Sequence, residues 1–311
     1  MSKAPDPDDW LRDDPRWLRL CIDLRRHKTL GGTARAVLQH ADPRTVAIEL
    51  AKAREREGPR VVHVTTVAAG DLAVRYRKGE FGAVWSELRS HAALGGDLLL
   101  EARAVALEMM RRVAQGAALL AERLAARGWK SLYGRLHAPP HTGDEAVMRR
   151  IEEVTGAPLP LSLRAFWEVV GGINFVWDYE RGGEAPDLGV RLPMEEMDPI
   201  AVDPPGGVVH VFDEWKNLRD GIDPELAGGF NLDLAPDYLH KANISGGPPY
   251  GLELPFHGAD PTFENEAHCL PFVEYLRLCF RWGGFPRLER HSERADVREF
   301  VSEIAHGLEP F

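Results

Sequence analysis

Cysteine is scarce in this chain. The three residues, Cys21, Cys269 and Cys279, match no metal-binding or redox spacing. So few thiols, odd in number, are expected to be reduced and buried in a cytoplasmic protein. No stretch of 18 consecutive apolar residues occurs, so no transmembrane helix is expected. The opening segment MSKAPDPDDW is acidic and proline-rich without an apolar centre, which argues against an ordinary secretory signal. Gly-x-Ser-x-Gly, His-Glu-x-x-His, Walker and dinucleotide fingerprints are also missing. The twelve histidines are scattered, and the acids of Glu195-Glu196 are neighbours whose side chains need not converge. Nothing in the pattern assembles a nucleophile, a base and an orienting group. The sequence therefore predicts no enzyme, no cofactor and no metal.

What is present is a 311-residue chain with 44% hydrophobic and 28% charged residues, enough for two domains with a substantial core. Its charge is unevenly divided. Residues 1–140 hold 24 Lys and Arg against 17 Asp and Glu, a balance of +7. Residues 141–311 hold 14 against 31, a balance of −17, and the whole chain carries −10. An acidic domain repels nucleic acid and attracts basic partners. The same charge also confers solubility alone.

Residues 1–15 read as a loose arm. Helices are expected from Trp17 to Leu24, from Thr33 to His40, and from Asp42-Pro43 to Gly58, where Asp42 caps and Pro43 takes the first helical position. Val61 to Val67 fits a strand or a buried helical segment. Phe81 to Leu94 predicts a helix, and Asp97 is expected to cap the longest one. That helix has apolar positions from Leu98 through Val105 and Val113 to Leu124, and it stops at Gly128. Gln115-Gly116 is a possible bend within it. Its Arg103, Arg111, Arg112 and Arg123 read as a solvated face balanced by Glu101, Glu108 and Glu122, so no nucleic-acid site is expected. Ala138 to Gly143, with Pro139-Pro140, reads as a linker. The domains are therefore drawn at 1–137, mostly helical, and 138–311.

The second half opens with IEEVTGAPLPLSLRAFWEVVGGINF, residues 151–175. An amphipathic helix ends at Gly156. Leu159-Pro160 is an extended step, and Ser162 caps a second helix with Leu163, Phe166, Trp167 and Val170 buried. Gly171-Gly172 then stops it. Strands are expected at Ile173–Tyr179, Asp198–Val202, Val208–Phe212 and Tyr250–Pro255, and helices at Leu270–Phe280 and Asp296–Ala305. Residues 221–229 and Ser245 to Pro249 read as loop and turn. Strands gathered between helices without a repeated βαβ unit indicate α+β.

This order of helix, glycine, Leu159-Pro160, helix with Phe166 and Trp167, and Gly171-Gly172 resembles the opening of the SUKH superfamily, the Smi/Knr-type domain. Val170 stands where the family usually has Asn. The stretch Phe272-Val-Glu-Tyr-Leu resembles its closing helix. The resemblance covers roughly residues 144–285. It implies a central antiparallel or mixed sheet flanked by helices, and a non-enzymatic binding module such as a bacterial immunity protein that neutralises a cognate, often basic, toxin. An intracellular scaffold or regulatory protein of the same superfamily is the alternative.

Candidate partner-binding residues are the aromatic and acidic run Trp177, Asp178, Tyr179 and Glu180, together with His257, Asp260 and Glu264. Trp177 fits a core position equally well. If Pro261 opened a helix, Asp260, Glu264 and His268 would share a face near His257, and this is the metal-enzyme alternative. Trp282-Gly283-Gly284-Phe285 reads as core. Oligomeric state is open.

Overall fold

The computed structural model describes residues 71–132, 134–221 and 230–311. The chain divides into two compact units, 1–66 and 67–311. The expectations for the arm, the helices and the possible strand before residue 67 lie outside the described residues, as does nearly all of the 221–229 loop.

The described part is α+β. Helices α1 (Asp71–Arg77), α2 (Phe81–Ser90) and α3 (Gly96–Ala126) come first, followed by the short strand β1 (His137–Ala138). Helices α4 (Asp144–Thr155) and α5 (Leu161–Val169) precede β2 (Gly172–Asn174). Then follow α6 (Tyr179–Gly182), β3 (Ala201–Val202), α7 (Pro205–Gly221), β4 (Phe230–Ala235) and α8 (Tyr238–Lys241). Strand β5 (Tyr250–Leu254), α9 (Phe272–Arg281) and α10 (Ala295–Ile304) complete the unit. Two antiparallel sheets form, β1-β2-β3 and β4-β5. They meet where the Asp203 amide donates to the Leu234 carbonyl at 2.8 Å.

The long helix α3 runs unbroken through Gly116, and its stripe Val105, Met109, Val113, Leu120 and Leu124 is fully buried. It packs on α5. The helical hydrogen-bond ladder continues past Gly116. A Cβ there would lie 2.7 Å from Cε1 of Phe280, so the glycine lets that ring approach. Asp97 is not the cap, because Gly95 occupies that position in extended conformation. The arginines of α3 are consumed within the chain. Arg103 pairs with Glu168 at 2.9 Å, Arg112 pairs with Glu108 and donates to the Pro310 carbonyl, and Arg123 donates to the carbonyls of Ile304 and His306.

The segment from Ala138 to Gly143 lies inside the unit 67–311, because His137 pairs with Ile173 and Ala138 with Gly172. The helix, glycine and Leu-Pro order holds. Gly156 closes α4 in the left-handed region at φ 70°. Pro160, with extended ψ of 137°, is the N-cap of α5 in place of Ser162. Ser162 sits buried in the first turn, its amide donating to the Ala259 carbonyl at 2.9 Å. Gly171 has φ 85°, and a Cβ there would collide with the Ala138 carbonyl. Phe166 stacks edge-on against Phe272 at 5.5 Å, which joins α5 to α9.

One expected strand is a helix. Val208 to Phe212 belongs to α7, with Val208, Val209 and Phe212 buried and His210 exposed. A five-residue apolar run carries no period that separates the two states, and Pro205 pre-sets the first helical turn. The strand expected at Ile173 to Tyr179 shortens to β2, because Asp178 caps α6 by accepting from the Arg181 amide at 3.0 Å. Strand β4 alternates, with Phe230, Leu232 and Leu234 buried between half-buried Asn231 and Asp233. Cys279 is buried as expected. Cys269 is exposed, at φ 50°, with its thiol donating to the Glu266 carbonyl at 3.5 Å.

Candidate functional site

Helix α10 carries two patterns. Val297, Phe300 and Ile304 face the core. Asp296, Glu299, Phe300 and Glu303 recur at helical spacing and border a cleft of about 400 Å³. The turn Asp187-Leu188-Gly189 and Arg127, at the C-terminus of α3, complete the lining. The turn is fixed locally. Asp187 accepts from the Gly189 amide at 2.7 Å, and Gly189 takes φ 83°, a region that side-chain-bearing residues avoid.

The electrostatics of the cleft follow from what each carboxylate touches. Arg127 pairs with Glu303 and donates to the Leu188 carbonyl at 3.4 Å. Its guanidinium lies 5.8 Å from the Phe300 ring centroid. Asp296 is bonded by Arg294 at 2.8 Å and by the Arg191 amide at 3.1 Å. Arg294 beside it, and then that amide, hold its carboxyl well below the usual range, so it stays ionised. Glu299 is exposed and has no ionic or hydrogen-bond partner among the described residues. The lining thus holds four carboxylates, of which Glu303 is paired with Arg127 and Asp296 with Arg294, over an apolar floor of Leu188 and Phe300.

The sequence-derived candidates are placed elsewhere. Trp177 is a core residue, only 2% exposed, packed on Trp129 at 5.2 Å with its indole N–H donating to the Gly183 carbonyl at 2.9 Å. Asp178 is buried as the cap of α6, Tyr179 is half-buried, and Glu180 is exposed. The run therefore does not present a continuous aromatic surface. It forms a turn that closes over its own tryptophan. Pro261 opens no helix. The segment 257–271 is irregular, with Glu264 bridged through its backbone to Gly251.

Asp260 is buried and accepts from the Val273 amide at 3.1 Å and from Arg89 at 3.1 Å. Burial pushes its carboxyl up to about 6, against the Val273 hydrogen bond and the Arg89 charge. His257 and Glu264 are exposed. His268 bonds through Nδ1 to Glu266 at 2.6 Å. Among the described residues no three His, Cys, Asp or Glu are grouped to hold a metal ion.

A second polar centre is fully buried. Lys241 Nζ meets Asp198 Oδ1 at 2.7 Å, and neither side chain is exposed. The Tyr250 hydroxyl donates to Asp198 Oδ2 at 3.1 Å, and Lys241 lies 4.5 Å from the Tyr250 ring centroid. Desolvation, reinforced by Asp198, drives the Tyr250 phenol well above its usual value. This centre ties α8 and β5 to the segment before β3. No described helix is long and apolar enough to cross a membrane. No family model, no curated protein and no solved structure matches the chain.

Proposed function

We propose that the chain is a non-enzymatic protein-binding module whose acidic C-terminal half receives a basic partner at the α10 cleft. The observation that carries this reading is the lining itself: Asp187, Asp296, Glu299 and Glu303 surround an apolar floor, with Arg127 as the cation among them. The −17 balance of residues 141–311 supports it, because a field of one sign steers an oppositely charged partner and speeds association. The resemblance to SUKH domains suggests a cognate basic toxin as that partner and a cytoplasmic immunity role. A scaffold of the same superfamily is the second form of the reading, with the same cleft and a different occupant.

The test is a titration with a short arginine-rich peptide at low salt. It compares the native chain with Glu299→Lys and with Glu253→Lys, an exposed acid outside the cleft that makes the same change in net charge. The proposal expects Glu299→Lys to weaken binding far more than Glu253→Lys. Equal losses would reduce the acidity to a general field and remove the cleft from the account.

A further inference from the structure

Arg287 lies in the 3-10 turn Pro286–His291 that follows α9, and it is 8% exposed. Its guanidinium stands 4.1 Å from the ring centroid of half-buried Tyr238. Its Nε and Nη1 are buried and find no hydrogen-bond partner among the described residues. An arginine cannot shed its proton to escape burial, as a lysine or a carboxylic acid can. A buried unpaired cation is costly, and the aromatic face offsets only part of that cost.

Four carboxylates on the neighbouring elements are engaged by other groups. Glu289, on the same turn, faces Nε2 of His268 at 3.6 Å. Glu196 is bonded to His291 at 3.2 Å. Asp237, next to Tyr238, accepts from the Leu239 amide at 2.9 Å and pairs with His240. Asp198 is taken by Lys241. None of these four carboxylates pairs with the Arg287 guanidinium.

We propose that Arg287, backed by Tyr238, is a receptor for a single oxyanion group, a carboxylate or a phosphate. The oxyanion accepts from the unpaired N–H groups, and the Tyr238 ring holds the guanidinium plane in place. Arginine suits this role because its planar donors match an oxyanion and its face stacks on an aromatic ring. This site is separate from the acidic cleft: the two have no residue in common, and they select ligands of opposite charge.

The experiment is thermal unfolding of the full chain in acetate, in inorganic phosphate and in chloride at matched ionic strength. The native chain is compared with Arg287→Met and Arg287→Lys. A ligand at ten times its dissociation constant raises the midpoint by roughly 3 °C in a domain of this size. That rise is expected for the native chain in acetate or phosphate and not in chloride. Whichever of the two acts at the lower concentration identifies the preferred group. The response should disappear in Arg287→Met and shrink in Arg287→Lys, where charge survives but the planar donors do not. In chloride, Arg287→Met should be at least as stable as the native chain, since it removes an unpaired buried charge.

An equal rise in native chain and Arg287→Met would overturn the proposal, as would no rise in either anion. If Arg287→Met does not fold, the Nε–H resonance of Arg287 in the native chain decides. A shift that saturates with phosphate or acetate supports the site. A resonance that ignores both anions refutes it.

Discussion

Replacing Asp260 by Asn tests how burial sets the charge state of this unit. The Asp260 carboxyl is enclosed by α2, α5 and α9, accepts from the Val273 amide and faces Arg89. Its ordinary value of 3.8 is raised to about 6, with burial the largest cause. A group whose folded value lies above its unfolded value binds its proton more tightly in the native state. Its contribution is therefore fully present below pH 3.8 and is lost as pH rises through about 6. Integrated from pH 4 to pH 7, that loss is about 2 kcal/mol at 1.36 kcal/mol per unit. Asn keeps the acceptor toward Val273 and carries no titrating proton. The native chain should therefore lose about 2 kcal/mol relative to Asp260→Asn over that range. Denaturant unfolding of both proteins at several pH values measures the difference directly. Parallel stability curves would refute the reasoning, because they would mean that Asp260 titrates alike in the folded and unfolded chain.

Trp177→Ala should cost about 3–5 kcal/mol in denaturant unfolding, the penalty of a large buried aromatic. A variant as stable as the native chain would mean that Trp177 is a surface residue after all. Lys241→Met and Asp198→Asn should each cost about 3–5 kcal/mol, and the double variant clearly less than their sum, since each single change strands the other charge. Additive costs in a double-mutant cycle would mean that the pair does not act as a unit. Gly171→Ala should destabilise by about 2 kcal/mol or more, because strain at positive φ adds to a collision with Ala138. Gly128→Ala, at φ 84° with open space around it, should show only the strain, about 1 kcal/mol. Equal thermal shifts for the two variants would remove the collision.

Periodic signals long enough to be unambiguous were legible in the sequence. The buried stripe of α3, the capped end of α4 at Gly156, the Leu159-Pro160 step and the amphipathic α9 and α10 all appear near their expected positions. Short apolar runs were not. Val208 to Phe212 suits a strand by composition, and packing of the α7 face decides for helix. The alternation of Phe230, Leu232 and Leu234 was a readable strand signal, obscured by the turn residues on both sides.

At the candidate site, Asp296, Glu299 and Glu303 keep the period of α10, but acids at helical spacing are the ordinary solvated face of an amphipathic helix and carry no sign of a cleft. Asp187 and Arg127 are far away in sequence, and only tertiary packing brings them to that face. Trp177 shows the converse. An aromatic beside acids looks like a binding surface in one dimension, but here the acid caps the turn that buries the ring. The buried Lys241 and Asp198 pair, 43 residues apart, left no sequence signal at all.

The central claim is that a basic protein docks in the α10 cleft, and parallel capture from native lysate tests it most directly. The bait is the full chain, its Glu299→Lys variant or its Glu253→Lys variant, at low and at high salt. The account predicts a basic protein retained by the native chain and by Glu253→Lys, released by salt, and bound about tenfold more weakly by Glu299→Lys, a difference on the order of 1.4 kcal/mol. A partner that Glu299→Lys retains as well as the native chain, or that high salt does not release, would contradict it.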